Sequence, residues 1–285
     1  MAETEFSRVS DHVYWLSPGK PDRPALAAVV GEDFTVMLDA GASAAHVRLM
    51  LDGLREEGVA LPRYTVLTHW HWDHIFGAKE ISAPLIAHVQ TAEWLAKLTT
   101  QDWSNNALDQ RLGHSAEFAY SINDIKLELP EPRRVDIIQP EMVFEGSLDL
   151  YLGGVSCHIQ HVGGDHAADS VVIYVEPDRV LFLGDALYQT VYSPIPYFTA
   201  KRLLPLMETL QGFEADHYIE GHGDAVMSRM EFATLLSKMR LAMTVAAQGL
   251  DEAATLAAAQ ALSGIVPDED TEFFVQTMIA GRDVE

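Results

Sequence analysis

The sequence predicts an α/β protein in which two β-sheets pack face to face with helices on their outer sides. Three observations carry this. Strand-type and helix-type patterns alternate from His12 to Leu98, the order of an α/β layer. β-patterning then restarts in a second half, Leu148 to Leu183, as apolar runs bounded by turns, the look of strands covered on both faces. The remainder, from about 228 to 285, carries apolar residues at helical spacing and reads as a helical extension.

Taken in order, His12–Leu16, Ala25–Val30 and Thr35–Asp39 read as strands of a hairpin or small meander, with a turn at Gly31-Glu32-Asp33. Ser43 is placed to cap a helix in which Val47, Met50, Leu51 and Leu54 share a face and Gly58 follows the end. His46, near its first turn, is expected at the surface. Tyr64–Leu67 and Ala83–Ala87 are further strands, and Thr91 is the expected cap of a helix burying Trp94, Leu95 and Leu98. From about 99 to 124 the pattern breaks into polar residues around Trp103, Leu112, Phe118 and Tyr120, an insertion suited to a pocket wall, a dimer contact or a plain surface excursion. His114 lies there and is not assigned a role. In the second half Leu148, Leu150 and Leu152 alternate with polar neighbours, Gly153-Gly154 turns the chain, and Val155–His161, Val171–Val175 and Val180–Leu183 follow as strands. Phe232, Leu235, Leu236, Met239 and Met243 form one helical stripe, Asp251 caps an Ala-rich helix, and Phe273, Phe274 and Met278 mark a third. No repeat or low-complexity linker divides the chain, so residues 1–285 are expected to form a single domain.

The 285 residues are 48% hydrophobic, enough for a substantial core. A net charge of −23 with no Lys/Arg cluster argues against nucleic acid as a partner. No uncharged apolar run reaches roughly eighteen residues, and Met1–Arg8 lacks the basic start and apolar core of a secretory signal, so no membrane contact and a cytoplasmic location are expected. The one cysteine, Cys157, excludes an internal disulfide and a multi-thiolate metal site, and it falls in an alternating run as a buried small hydrophobe.

The chemistry concentrates in Leu67-Thr68-His69-Trp70-His71-Trp72-Asp73-His74, directly after a strand. Imidazole nitrogen and carboxylate oxygen are ligands for zinc and related first-row ions, and the spacing lets His69 and His71 face one position while Asp73 and His74 turn toward a second. The residues themselves suggest two adjacent metals. Farther along, His161 and His166 flank a Gly-rich turn, Asp185 closes the run Val180–Gly184, and His222 follows an apolar segment in Ile219-Glu220-Gly221-His222-Gly223.

This pattern resembles the signature of the metallo-β-lactamase superfamily over roughly residues 10 to 225. The resemblance implies an αββα sandwich of two mixed sheets, with His69, His71 and His166 on one metal, Asp73, His74 and His222 on the other, and Asp185 bridging. His166 is favoured over His161. In the family the corresponding loop usually runs His-x-Pro-Gly-His; here the interval is one residue longer and has no proline. The nitrogen-and-oxygen shell favours two zinc ions and also suits iron, manganese or cobalt. Histidine at 71, where the oxygen-reducing diiron relatives have glutamate, and the absence of a flavodoxin-like stretch point away from redox chemistry.

Two cations that share and acidify a water imply hydrolysis of a small-molecule substrate, with Asp73 orienting the attacking group. Tyr188, three residues after Asp185, is placed like a tyrosine of the acyl-homoserine-lactone lactonases, where a phenol donates to substrate oxygen; a core aromatic is the equal alternative. An ester or lactone is the first expectation and a thioester the second, since Arg229, Lys238 and Arg240 do not match a glutathione-binding arrangement. β-Lactam hydrolysis and a metal-binding member without catalysis are the alternatives. Tyr192, Tyr197 and Phe198 are candidate pocket walls, and a homodimer is left open.

Overall fold

A computed structural model describes residues 4–114 and 121–284. The first sheet is built from β1 (Phe6–Arg8), β2 (Val13–Leu16), β3 (Leu26–Val30), β4 (Thr35–Leu38), β5 (Tyr64–Val66), β6 (Leu85–His88) and β7 (Met142–Phe144), which neighbour one another in chain order. Strands β1 to β4 pair antiparallel, and β4 to β7 pair parallel. Parallel pairing requires crossovers. These are supplied by α1 (Ala44–Glu56), by the short α2 (Trp72–Ile75) and α3 (Ala78–Ile81), and by α4 (Val89–Leu98), α5 (Asn105–His114) and α6 (Ile122–Glu128).

The second sheet runs β13-β12-β11-β10-β9-β8, from β8 (Ser147–Tyr151), β9 (Ser156–His161), β10 (Val171–Glu176), β11 (Val180–Gly184), β12 (His217–Glu220) and β13 (Met227–Ser228). Its β11–β12 pair is parallel and the rest antiparallel. Helices α7 (Ala200–Gly212), α8 (Arg229–Ala246), α9 (Glu252–Ser263) and α10 (Glu269–Gly281) complete the chain.

Residue alternation explains the layering. On β4, Val36 and Leu38 point between the sheets while Met37 points to the helices, and on β11 Phe182 points between the sheets while Leu181 and Leu183 face the other helix layer. Three buried clusters result: helices on the first sheet, sheet on sheet, and second sheet on helices. This is the αββα sandwich that the sequence implies. Cys157 is buried between the sheets, where desolvation pushes its thiol up to about 12. Among the described residues no helix is long and apolar enough to cross a membrane.

Several local expectations need correction. His46 is buried rather than exposed, and its Nδ1 accepts from the Ala42 N–H at 3.2 Å behind the first turn of α1. Thr91 does not cap α4; His88 does, its Nδ1 accepting from the Gln90 N–H, while the Thr91 hydroxyl donates to Asp169 at 2.7 Å. Helix α7 goes unread in the sequence because Pro205 interrupts it as a breaker signal, although Leu203, Leu206, Met207 and Leu210 are buried on one face. In the 99–124 insertion, Trp103, Leu108 and Ile122 join the core, whereas Phe118, Tyr120 and the side chains of Leu112 and His114 lie outside the described residues.

His88 also makes a pH-dependent contribution. Its ring is buried and stacks on His161 at 3.9 Å and 6°. Burial, then the His161 imidazole, lowers it from 6.5 to about 4. The unfolded chain therefore takes up this proton first as pH falls below the ordinary imidazole range, so the stability present above about 6.5 is lost toward 4. Asparagine at 88 keeps a capping acceptor and removes the titration. The urea midpoint of the wild type is expected to fall more between pH 7.5 and pH 5 than that of His88→Asn; equal falls would refute this.

Candidate metal centre

The site lies where strand ends of both sheets meet. Strand β5 ends at Val66, the chain continues through His69 and His71, and α2 carries Asp73 and His74 in its single turn. His166 sits in the β9–β10 connection, Asp185 directly after β11, and His222 two residues after β12. Because β11 and β12 are parallel, both carboxyl ends emerge on one side. The sheets are tied together here by Val171 N–H donating to the Thr68 carbonyl at 2.9 Å and Ala25 N–H donating to the Gly221 carbonyl at 2.5 Å.

The structure brings all seven side chains together as two groups able to hold metal ions, His69 with His71 and His166, and Asp73 with His74, Asp185 and His222, the ligand atoms of each group lying within 4.8 Å of one another. Asp185 Oδ2 lies between them, 3.1 Å from His166 Nε2, 3.9 Å from His69 Nε2, 3.3 Å from His74 Nε2 and 3.4 Å from His222 Nε2. Asp73 Oδ2 is 3.3 Å from His74 Nε2 and 3.2 Å from His222 Nε2.

These residues fit metal ions on two counts. The Nε2 atoms of His69, His71, His74 and His166 and Oδ1 of Asp185 are buried without a hydrogen-bond partner, a cost that coordination would remove. Donor atoms at 2.0–2.1 Å around a tetrahedral ion stand about 3.3 Å apart, matching most of the separations above. The protonation balance agrees for the first group and, with two carboxylates beside them, runs the other way for the imidazoles of the second. Burial, then neighbouring imidazoles, holds His69 and His71 well below the ordinary range and so in the neutral form that ligates. Burial opposes charge on His74 and His222 as well, but Asp185 and Asp73 lift both well above it. Burial likewise works against the Asp73 and Asp185 anions, and the His74 and His222 imidazoles outweigh it.

Outer contacts aim the rings. His74 Nδ1 donates to Asp39 Oδ2 at 2.8 Å, His166 Nδ1 donates to the Gln189 carbonyl at 3.1 Å, Thr68 Oγ1 lies 3.0 Å from His69 Nδ1, and Asp22 Oδ1 lies 3.5 Å from His222 Nδ1. Asp39 also accepts from the Thr68 N–H at 2.7 Å and the Thr68 hydroxyl at 2.8 Å. Sequence reasoning missed Asp39 and Asp22. The signal for Asp39 was present, since Val36-Met37-Leu38-Asp39 is an apolar strand closed by aspartate, as is the run ending at Asp185. His161 turns away, its Nε2 2.9 Å from the Ala168 carbonyl.

The cage opens into a cavity of about 690 Å³ lined by His71, Asp73, His166, Asp185 and His222. Tyr188 borders it with its ring 6.0 Å from those of both His166 and His222, and its hydroxyl oxygen accepts from the His222 N–H at 3.2 Å. Burial, then Glu220 and Asp185, raises the phenol well above its ordinary range, so it stays protonated. Tyr192 forms another wall, stacked on Trp70 at 5.1 Å and edge-on to His71 at 4.7 Å, and Phe198 also lines the cavity; Tyr197 is not among the lining residues. Leu235, Met239, Phe273 and Phe274, read from sequence as core, contribute to the lining.

A family model for the metallo-beta-lactamase superfamily matches residues 21–226, and the chain belongs to that superfamily. A curated relative, a linear primary-alkylsulfatase from a Pseudomonas strain, is 23% identical over 224 residues, covering 72% of this chain. The chain spans only 42% of that relative's length. Among solved structures, a metallo-beta-lactamase from Pontibacter korlensis superposes with a TM-score of 0.59 at 18% identity, covering 82% of this chain and 98% of the other. The sec-alkylsulfatase Pisa1 from Pseudomonas sp. superposes with a TM-score of 0.66 at 15% identity, over 99% of this chain and 50% of the other. At such identities these structures establish the fold, and the superfamily match with the metal-fitting clusters defines the general type, a metallo-beta-lactamase-fold protein with a candidate binuclear metal site.

Proposed function

We propose that the protein is a dinuclear metal-dependent hydrolase of an uncharged ester or lactone, with a thioester as the next class. The observation that supports the dinuclear reading is the place of Asp185 Oδ2, against imidazoles of both groups at once. His69, His71 and His166 would hold one ion, Asp73, His74 and His222 the other, with Asp185 between. Zinc suits this donor set, as do iron, manganese and cobalt. Bound cations supply Lewis-acid polarisation of a carbonyl and acidification of water.

The chain's own groups do the positioning. Asp73 presents a buried carboxylate at the cavity floor, able to orient an attacking O–H. The Tyr188 oxygen is already an acceptor toward the His222 N–H, which leaves its O–H to donate to a substrate oxygen as charge develops there. Tyr192 and Phe198 narrow the approach and limit bulk water.

The charge of the wall supports an uncharged substrate. Beyond Asp73 and Asp185, the lining carries Asp22, Glu220, Asp224 and Asp270 against one cation, Lys20, and Asp270 is itself paired with Lys238 at 2.7 Å. Away from the metal ions, a sulfate or the carboxylate of a β-lactam would meet carboxyl groups rather than cations on the wall, with Asp22 and Glu220 pushed up to about 7 chiefly by burial. Among substrates other than carboxylic esters and thioesters, sulfate-ester cleavage is the competing reading, favoured by the likeness to alkylsulfatases and by Lys20 at the cavity. A panel of phenyl acetate, a γ-lactone, a thioester, an alkyl sulfate, a phosphodiester and a cephalosporin separates them. The ester and lactone should turn over fastest, stop on chelation and recover with zinc. Fastest turnover of the sulfate, or turnover indifferent to chelation, would overturn the proposal.

Asp39 gives an independent check. Asp39→Ala leaves His74 Nδ1 and the Thr68 N–H without their acceptor. Zinc titration of the apo-protein by calorimetry is expected to show affinity at one site weakened by about 10–100-fold. Unchanged affinity at both sites would exclude a role for Asp39 in orienting His74.

A further inference from the structure

Resting on the hydrolase reading, we propose that the substrate carries an extended apolar arm, an alkyl or acyl chain, held between helices α8 and α10. The cavity that reaches His166 and Asp185 is continuous with a face formed by Leu235 and Met239 of α8 and Phe273 and Phe274 of α10. Its volume of about 690 Å³ falls within the range of sites that enclose a small organic ligand. Both helices lie beyond residue 226, outside the span that the superfamily model matches. The arm is therefore received by helices outside the segment that carries the superfamily match.

Two further observations make this a binding wall rather than incidental core. Both phenylalanines line the cavity, Phe274 buried against the second sheet's helix layer and Phe273 still 40% exposed, so an aromatic side chain at the cavity edge has apolar surface left to cover. The wall is also held in place. A Cβ at Gly281 would stand 1.9 Å from the Phe198 carbonyl oxygen, so α10 presses directly on the segment carrying Phe198. The Phe198 N–H donates to the Thr277 carbonyl at 3.2 Å, and its ring lies 6.2 Å from that of Phe274. Lys238, the nearby cation on α8, is engaged by Asp268 and Asp270 at 2.6 and 2.7 Å and is not free to greet an anionic arm.

The test uses zinc-loaded protein of residues 1–285 and linear 1-alkanols from butanol to octanol, whose binding needs no turnover. Calorimetric affinity should tighten by up to about fourfold per added methylene. In Phe273→Ser, a change at a partly exposed position, octanol affinity should fall by about tenfold while butanol stays within about twofold. An affinity series flat in chain length, or equal weakening of butanol and octanol, would overturn the proposal. Alkanols that bind as expected to a protein that cleaves no ester would leave the apolar arm standing and remove the ester reading; ester turnover with a flat alkanol series would do the reverse.

Discussion

Asp185→Asn is expected to lower ester turnover by about 10²- to 10³-fold and to reduce bound metal from close to two equivalents toward one. The side chain is buried, and Oδ2 sits within 3.9 Å of four imidazole nitrogens drawn from both groups. Two cations held this close repel, and an anionic oxygen between them offsets that repulsion in a way that a neutral amide does not. Asparagine preserves size, so the fold should survive, and far-UV circular dichroism with metal analysis on the same sample separates loss of metal from loss of structure. A variant that keeps two equivalents and near-native turnover would contradict the assignment.

The second large effect is steric. Gly221 links β12 to His222, donates its N–H to the Gly184 carbonyl at 2.8 Å and accepts from Ala25. A Cβ there would lie 1.9 Å from Asp185 Oδ1 and 3.3 Å from His74 Cε1. No real contact is that short, so in Gly221→Ala either the carboxylate leaves the centre of the cage or β12 draws back from β11. Both routes displace a ligand. Turnover should fall by at least about 10²-fold with metal content reduced, since a misplacement of about 1 Å is enough for such a loss. Gly223→Ala is the control: its Cβ would meet Glu220 Oε2 at 3.2 Å and Glu220 Cβ at 3.3 Å, contacts that a shift of a few tenths of an ångström relieves, and activity should stay near wild type. Equal behaviour of the two variants would remove the steric argument.

The strands and their layering were legible in the sequence because alternation along β4 or β11 is a local signal that directly encodes which face is covered. The cage residues could be picked out because four of them crowd into the loop and helical turn after β5, Asp185 and His222 follow β11 and β12, whose parallel ends collect on one edge, and the resemblance singled out His166. What stayed hidden depends on contacts between distant segments. Asp39 reaches His74 across 35 positions, so the strand-closing aspartate is visible in the sequence but its partner is not. His46 looked exposed because its helix position alone does not reveal the first-turn backbone that buries it. The methionine and phenylalanine stripes of α8 and α10 read as core, and most of those side chains are core; that Phe273 borders the cavity follows only from where α10 docks on Phe198.

The most direct measurement is an anomalous-difference map from crystals of the zinc-loaded protein. The account predicts two peaks, one at about 2.0–2.2 Å from His69, His71 and His166, the other at the same range from Asp73, His74 and His222, with an Asp185 oxygen within reach of both. A single peak, or two peaks with Asp185 turned away from them, would contradict it.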